Sequence, residues 1–153
     1  LRLRQDPRVV VMERVNARYH FQLPEAVDLA TVDVSFISLV RVLPTVAEHV
    51  ISGGHIIALV KPQFEVGKER VGKGGVVRDP LAHADAIEGV MAAAALEGWW
   101  ACGVVASPIT GPAGNHEYLL WLRSGTWPTH TKAAEQPPTE EAIRRLVRAT
   151  LGS

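Results

Sequence analysis

The sequence holds one cysteine, Cys102, which excludes an internal disulfide and fits a reducing compartment. Cys102 lies in the apolar run Trp100 to Val105, where a buried, inert thiol is favoured over a nucleophile. Net charge is also missing: 16 Lys and Arg against 16 Asp and Glu exclude a wholly basic surface, though not a local basic patch. Nowhere do about 18 apolar residues run without interruption, so no membrane span is expected. The opening Leu1-Arg2-Leu3-Arg4-Gln5-Asp6-Pro7 does not read as a signal peptide. These absences point to a cytoplasmic protein with no membrane partner. The six His show no ligand spacing such as His-Glu-x-x-His, so no metal is expected and His116 reads as a bystander. There is no internal repeat, no low-complexity tract, no initiating Met and no capped element at the start, and the chain reads as cut from something longer.

What is present is one domain's worth of alternating elements. The β-branched run Val9-Val10-Val11 behind Asp6-Pro7 predicts a strand over Arg8 to Arg14, and Val27 to Val34 predicts a second. After Gly53-Gly54, His55 to Val60 is the continuous apolar run of a strand buried on both faces. Between them, Leu39, Val42, Leu43, Val46 and Ala47 have helical spacing, with Pro44 expected to kink or divide the helix. Asp79-Pro80 supplies a cap and a first-turn proline for a helix striped by Leu81, Ala84, Ile87, Met91 and Ala94 and stopped at Gly98. Trp99 to Ser107 and Tyr118 to Arg123 read as strands whose connection is too short for a crossover helix, so they should be antiparallel neighbours. Ser124 to Pro138 reads as a linker, and Thr139 caps a closing helix with apolar Ile143, Leu146, Val147 and Leu151. The sum is a doubly wound α/β sheet with a reversed last strand, an ending characteristic of S-adenosylmethionine-dependent methyltransferases.

Chemistry concentrates where apolar strands meet loops, which is where open α/β sheets bind ligands. Asp33 ends one such run, Lys61 follows another, and Glu117 precedes the last. A desolvated lysine can lose its proton, and flanking carboxylates can tune and orient it, so this trio suits activation of a hydroxyl. A plain strand-end salt bridge is the bland alternative for Lys61 and Asp33.

Four segments in order resemble one family: Asp33-Val34-Ser35-Phe36-Ile37-Ser38-Leu39, Leu59-Val60-Lys61-Pro62-Gln63-Phe64-Glu65-Val66-Gly67, Gly74-Gly75-Val76-Val77-Arg78-Asp79-Pro80, and Ser107-Pro108 through Gly111-Pro112-Ala113-Gly114-Asn115-His116-Glu117-Tyr118. From about Asp6 to Arg123 the chain is similar to the TlyA family, also known as hemolysin A, ribosomal RNA 2′-O-methyltransferases with an FtsJ-like catalytic domain. The resemblance implies a Rossmann-like methyltransferase fold that lacks its first strands, with residues 1–125 as the C-terminal portion of the catalytic domain and 126–153 as linker and closing helix. It implies S-adenosylmethionine as cofactor and ribosomal RNA or a ribosomal subunit as partner. Of the family's Lys-Asp-Lys-Glu tetrad it implies Asp33, Lys61 and Glu117 as catalytic, with the leading Lys, the glycine-rich cofactor loop and an RNA-binding domain expected upstream of residue 1. Asn16 and Asp33 are the implied cofactor contacts.

Gly67-Lys68-Glu69-Arg70-Val71-Gly72-Lys73-Gly74 nearly spells a nucleotide-phosphate loop, but Gly74 stands where a hydroxyl is needed and the next helix begins only at Pro80. Its cations Lys68, Arg70 and Lys73 suit RNA phosphates better, with a solvated mobile loop as the bland reading. Among Trp99, Trp100, Trp121 and Trp127, only Trp127 is expected outside the packed strands. The rival to an enzyme is a truncated, non-catalytic relative that keeps the RNA-facing surface. A membrane-lytic activity finds no support in a chain without a spanning segment or a strongly apolar basic helix.

Overall fold

A computed structural model describes residues 2–125 and 136–152. In chain order the elements are α1 (Arg2–Gln5), β1 (Val27–Val32), α2 (Leu43–Ala47), β2 (Val50–Val60), α3 (Pro62–Glu65), α4 (Pro80–Leu96), β3 (Trp99–Ala106), β4 (Tyr118–Ser124) and α5 (Glu140–Leu151). The four strands form one sheet in the order β1-β2-β4-β3. β1 and β2 are parallel, and β4 runs antiparallel to both β2 and β3. The reversed last strand therefore lies inside the sheet, as expected of this fold class.

The paired part of β2 and most of β4 alternate. Ile56, Ala58 and Val60 of β2 and Tyr118, Leu120 and Leu122 of β4 are buried, and they form one core with Ile87 and Val90 of α4 and with Ile143 and Val147 of α5. The opposite face carries Leu29, Val105 and Trp121, which are exposed, so Trp121 is not the core residue its strand position suggested. Trp99 is buried, Trp100 is half-buried with its indole N–H on the Gly125 carbonyl, and Trp127 lies outside the described residues. Cys102 is half-buried.

Local chemistry explains the ends of the elements. The Asp79 carboxylate accepts from the Leu81 N–H at 3.0 Å and Pro80 opens α4, while the Thr139 hydroxyl accepts from the Ala142 N–H and begins α5. The buried side of α4 is set by Ala82, His83, Ala86, Ile87 and Val90. The expected stripe residues Ala84 and Ala94 are buried along with Ile87, while Met91 is half-buried and Leu81 is exposed, so the buried side is broader than the stripe. Pro44 sits in the first turn of α2, and a separate 3-10 turn at Leu39–Arg41 precedes it, which is the division its missing N–H demands. β2 begins five residues before His55, and the extra residues Ile51 to Gly54 bulge from the ladder between the pairs Val27–Val50 and Leu29–His55.

One expectation fails. Arg8 to Arg14 forms no strand, and Val9, Val10, Val11 and Met12 are exposed. A β-run is stable only when another strand takes its N–H and C=O groups, and none of the described strands pairs with this segment.

Candidate active site

The sheet register assembles the strand-end trio. Val32 pairs with Ala58, and Val60 pairs with Tyr118, so Asp33, Lys61 and Glu117 each stand one step beyond the paired positions of adjacent strands. Their predecessors Val32 and Val60, and Tyr118 after Glu117, face the helix-covered core. Alternation turns the three functional side chains to the other face together.

The Lys61 ammonium lies 2.7 Å from Asp33 Oδ1 and donates to Ser35 Oγ at 3.0 Å. Its side chain is 12 % exposed while that of Asp33 is 70 % exposed, so the pair has a sheltered amine and an open carboxylate. Glu117 is buried and makes no ion pair with Lys61 within 4.0 Å among the described contacts. Its main chain continues the β3–β4 ladder by accepting from the Ser107 N–H at 2.8 Å. Room for its carboxylate depends on Gly111, since a β-carbon there would stand 2.7 Å from Glu117 Oε1.

Several supporting residues were not assigned a role from sequence. Glu65, at the end of α3, accepts from the Ser38 hydroxyl at 2.6 Å and the Leu39 N–H at 2.8 Å, and so ties the loop after β1 to the segment that carries Lys61. Burial pushes its pKa up, and these two donors partly offset the push. Inside that loop Phe36 adopts a left-handed backbone (φ 63°), is 91 % exposed and rests its ring 5.2 Å from that of Phe64. A bulky residue held at positive φ is a strained position that the neighbouring clamps must maintain.

On the β4 side, Asn115 is 1 % exposed and bridges two strands of loop: its Oδ1 accepts from the Val77 N–H at 2.9 Å and its Nδ2 donates to the Gly75 carbonyl at 2.8 Å. Beneath it, buried His83 places Nε2 2.9 Å from the Val77 carbonyl and Nδ1 3.0 Å from the Tyr118 hydroxyl. With the Nε2–H donating to Val77, Nδ1 accepts from Tyr118, and the neutral ring satisfies both partners. Burial lowers the His83 pKa and pushes that of Tyr118 up to about 12. This network anchors the glycine-rich loop to the sheet next to Glu117.

Within that loop Lys68 and Lys73 are exposed, but Arg70 is held at 2.6 Å by Asp85 and 3.1 Å by Asp79, which raise its pKa. Its charge is spent on holding the loop to α4, so the cations facing solvent are Lys68 and Lys73 rather than the expected three. The loop makes two 3-10 turns, Lys68–Arg70 and Lys73–Gly75, and not a phosphate-binding turn opening a helix. Asn16 is exposed and closes a local turn by accepting from the Arg18 N–H. It does not line the nearby groove of about 280 Å³, whose walls include Ala17, Phe21, Val34, Val42 and Val46 and whose rim includes Asp33. No group of three or more His, Cys, Asp or Glu among the described residues could hold a metal, and no helix of the described residues is long and apolar enough to cross a membrane.

Known proteins resemble this chain over most of its length. The family model for FtsJ-like methyltransferases matches residues 1–124. The 16S/23S rRNA (cytidine-2′-O)-methyltransferase TlyA of Mycobacterium tuberculosis is 48% identical over 149 residues, covering 95% of this chain and 53% of its own length. Hemolysin A of Brachyspira hyodysenteriae is 32% identical over 124 residues, covering 77% of this chain and 50% of its own. A solved structure described as a hemolysin from Streptococcus thermophilus superposes with a TM-score of 0.84 at 38% identity, over 99% of this chain and 53% of that one. The chain thus spans about half the length of the curated relatives it matches. A reversed strand inside the sheet, an acid-flanked lysine at the strand ends and a match over most of the chain converge: this chain belongs to the FtsJ-like methyltransferase family.

Proposed function

We propose that this chain supplies the base and the substrate side of a methyl transfer from S-adenosylmethionine to a ribose 2′-hydroxyl of ribosomal RNA. The observation that carries the reading is the Lys61 amine held 2.7 Å from Asp33, with Glu117 directly before Tyr118, the partner of Val60 on the adjoining strand. The name of the Mycobacterium tuberculosis relative states this reaction class for that protein.

A ribose hydroxyl is a poor nucleophile at neutral pH, and a positioned base lowers the barrier by taking its proton as the new bond forms. The hydroxyl oxygen bonds the methyl carbon while the carbon–sulfur bond breaks and its electron pair stays on sulfur. The proton passes to the Lys61 amine. Asp33 orients that amine, and Glu117 stands where it can hydrogen-bond the ribose. The cofactor, when bound, supplies the electrophilic methyl group.

The groove beside Asp33 fits part of that cofactor. Apolar walls from Ala17, Val34, Val42 and Val46 beside one carboxylate suit a planar purine and its ribose. Ala17 and Val34 take the place in this contact first expected of Asn16, whose side chain holds the turn that presents Ala17. Lys68 and Lys73 face RNA phosphates, and exposed Phe36, backed by Phe64, offers its ring to a base near the reacting ribose. Such a reaction places the protein in the cytoplasm with the ribosome.

The test is methyl transfer to purified ribosomal subunits by the natural gene product that carries this chain. Lys61→Ala should lower turnover by about 10²–10⁴-fold without unfolding the protein. Retained turnover in that variant overturns the reading. Absence of any heat on titration of the natural gene product with S-adenosylmethionine would replace it with the non-catalytic, RNA-binding alternative.

A further inference from the structure

Lys61 has a second acceptor that the strand-end trio does not include. Ser35 Oγ stands 3.0 Å from Lys61 Nζ, and the loop that carries it is held from both ends by the Lys61–Glu65 segment. At one end Lys61 binds Asp33 and Ser35; at the other Glu65 binds Ser38 and Leu39. Between them Phe36 adopts a left-handed backbone, and the Ser35 hydroxyl just before it lies against the amine. The strain of that conformation is tolerated because both ends are fixed.

We infer that Ser35 is a positioning residue for the proposed reaction: it fixes the rotation of the Lys61 amine so that the lone pair faces the substrate hydroxyl. The inference rests on the reading of Lys61 as base. A neutral amine has two N–H bonds and one lone pair in a tetrahedral arrangement. Asp33 Oδ1 and Ser35 Oγ accept the two N–H bonds, which leaves one direction for the lone pair. With Asp33 alone one N–H is fixed and the lone pair can take either of the two remaining staggered directions about the Cε–Nζ bond, one of which misses the substrate. At 12 % exposure of the lysine side chain, few waters can replace the lost hydroxyl. Ser35 itself is exposed, so its own O–H remains free to turn toward the substrate, and a larger hydroxyl-bearing residue has room there.

The experiment compares Ser35→Ala and Ser35→Thr with the unaltered natural gene product in the subunit methylation assay, with Lys61→Ala alongside. Ser35→Ala should lower kcat about tenfold and leave KM for the subunit and for S-adenosylmethionine within about twofold, and Ser35→Thr should recover most of the loss. In parallel, ¹⁵N relaxation of the Lys61 ammonium, which needs neither cofactor nor turnover, should show faster reorientation in Ser35→Ala and near-normal behaviour in Ser35→Thr. Unchanged kcat and relaxation in Ser35→Ala, a loss carried by KM, or equal impairment of the two variants overturns the inference while Lys61→Ala remains inactive and the function stands. Activity that survives in Lys61→Ala removes the function and this role of Ser35 together.

Discussion

Two apolar, β-branched runs of this chain have opposite fates. Ile56 to Val60 forms the C-terminal end of β2, with Val60 fully buried and ladders on both sides. Val9 to Val11 has a similar composition, yet Val10 is 69 % exposed and the segment pairs with no described strand. Intrinsic preference is the same in both, so the difference lies in neighbours: β propensity expresses fit to an adjoining strand and a covered face more than a property of the backbone. The candidate site residues follow the same rule. Asp33, Lys61 and Glu117 are ordered by being one step from paired positions, whereas Asn16, in the unpaired region, organises only its own turn.

Measurements on both regions can break or sharpen this contrast. The largest difference is expected in amide hydrogen exchange, where Ile56, Ala58 and Val60 should be protected on the order of 10³-fold or more above Val9 to Met12, whose amides should exchange close to the unfolded rate. Similar protection in the two runs would show that the first is paired in solution. Next, Ile56→Ala should cost about 2–5 kcal/mol in denaturant unfolding and Val10→Ala under about 0.5 kcal/mol, because only the former opens a cavity; equal costs contradict the contrast. Asn115→Ala leaves the Val77 N–H and Gly75 carbonyl without their partner on the covered side and should cost about 1–3 kcal/mol in the same measurement. The smallest effect is one of pH. His83 has a folded pKa held below the ordinary value of 6.5, so the unfolded chain takes up the proton first as the pH falls. Its contribution to stability is complete above about pH 6.5 and fades as the pH drops through the folded value. His83→Gln should flatten the pH dependence of unfolding in that window, and a slope that stays unchanged would remove His83 from the account.

Much of this arrangement is legible in the residues themselves. Asp79-Pro80 and Gly98 bracket α4, Pro44 divides its helix, and the short connection from Ser107 to Glu117 forces the antiparallel pair. The trio of Asp33, Lys61 and Glu117 is legible because strand ends are visible as the last residue of an apolar run. Glu65, Asn115 and His83 are not. Their roles depend on partners far along the chain, Ser38, Val77 and Tyr118 respectively, and no local spacing marks those meetings. Arg70 shows the converse, since a cation in a glycine-rich loop looks available until Asp79 and Asp85 of the next helix region are seen to hold it. Likewise Arg8 to Arg14 has every local mark of a strand and lacks only a neighbour.

The place of β4 has a consequence for biosynthesis. Among the described residues β3 has no ladder to β2 and joins the sheet through β4, which follows it in the chain. Until Tyr118 to Ser124 have left the ribosome, β3 lacks its partner strand, so this edge of the sheet waits on pairing with a later segment. Nascent chains that stop short of that strand therefore leave β3 unpaired, and its order arrives in one step.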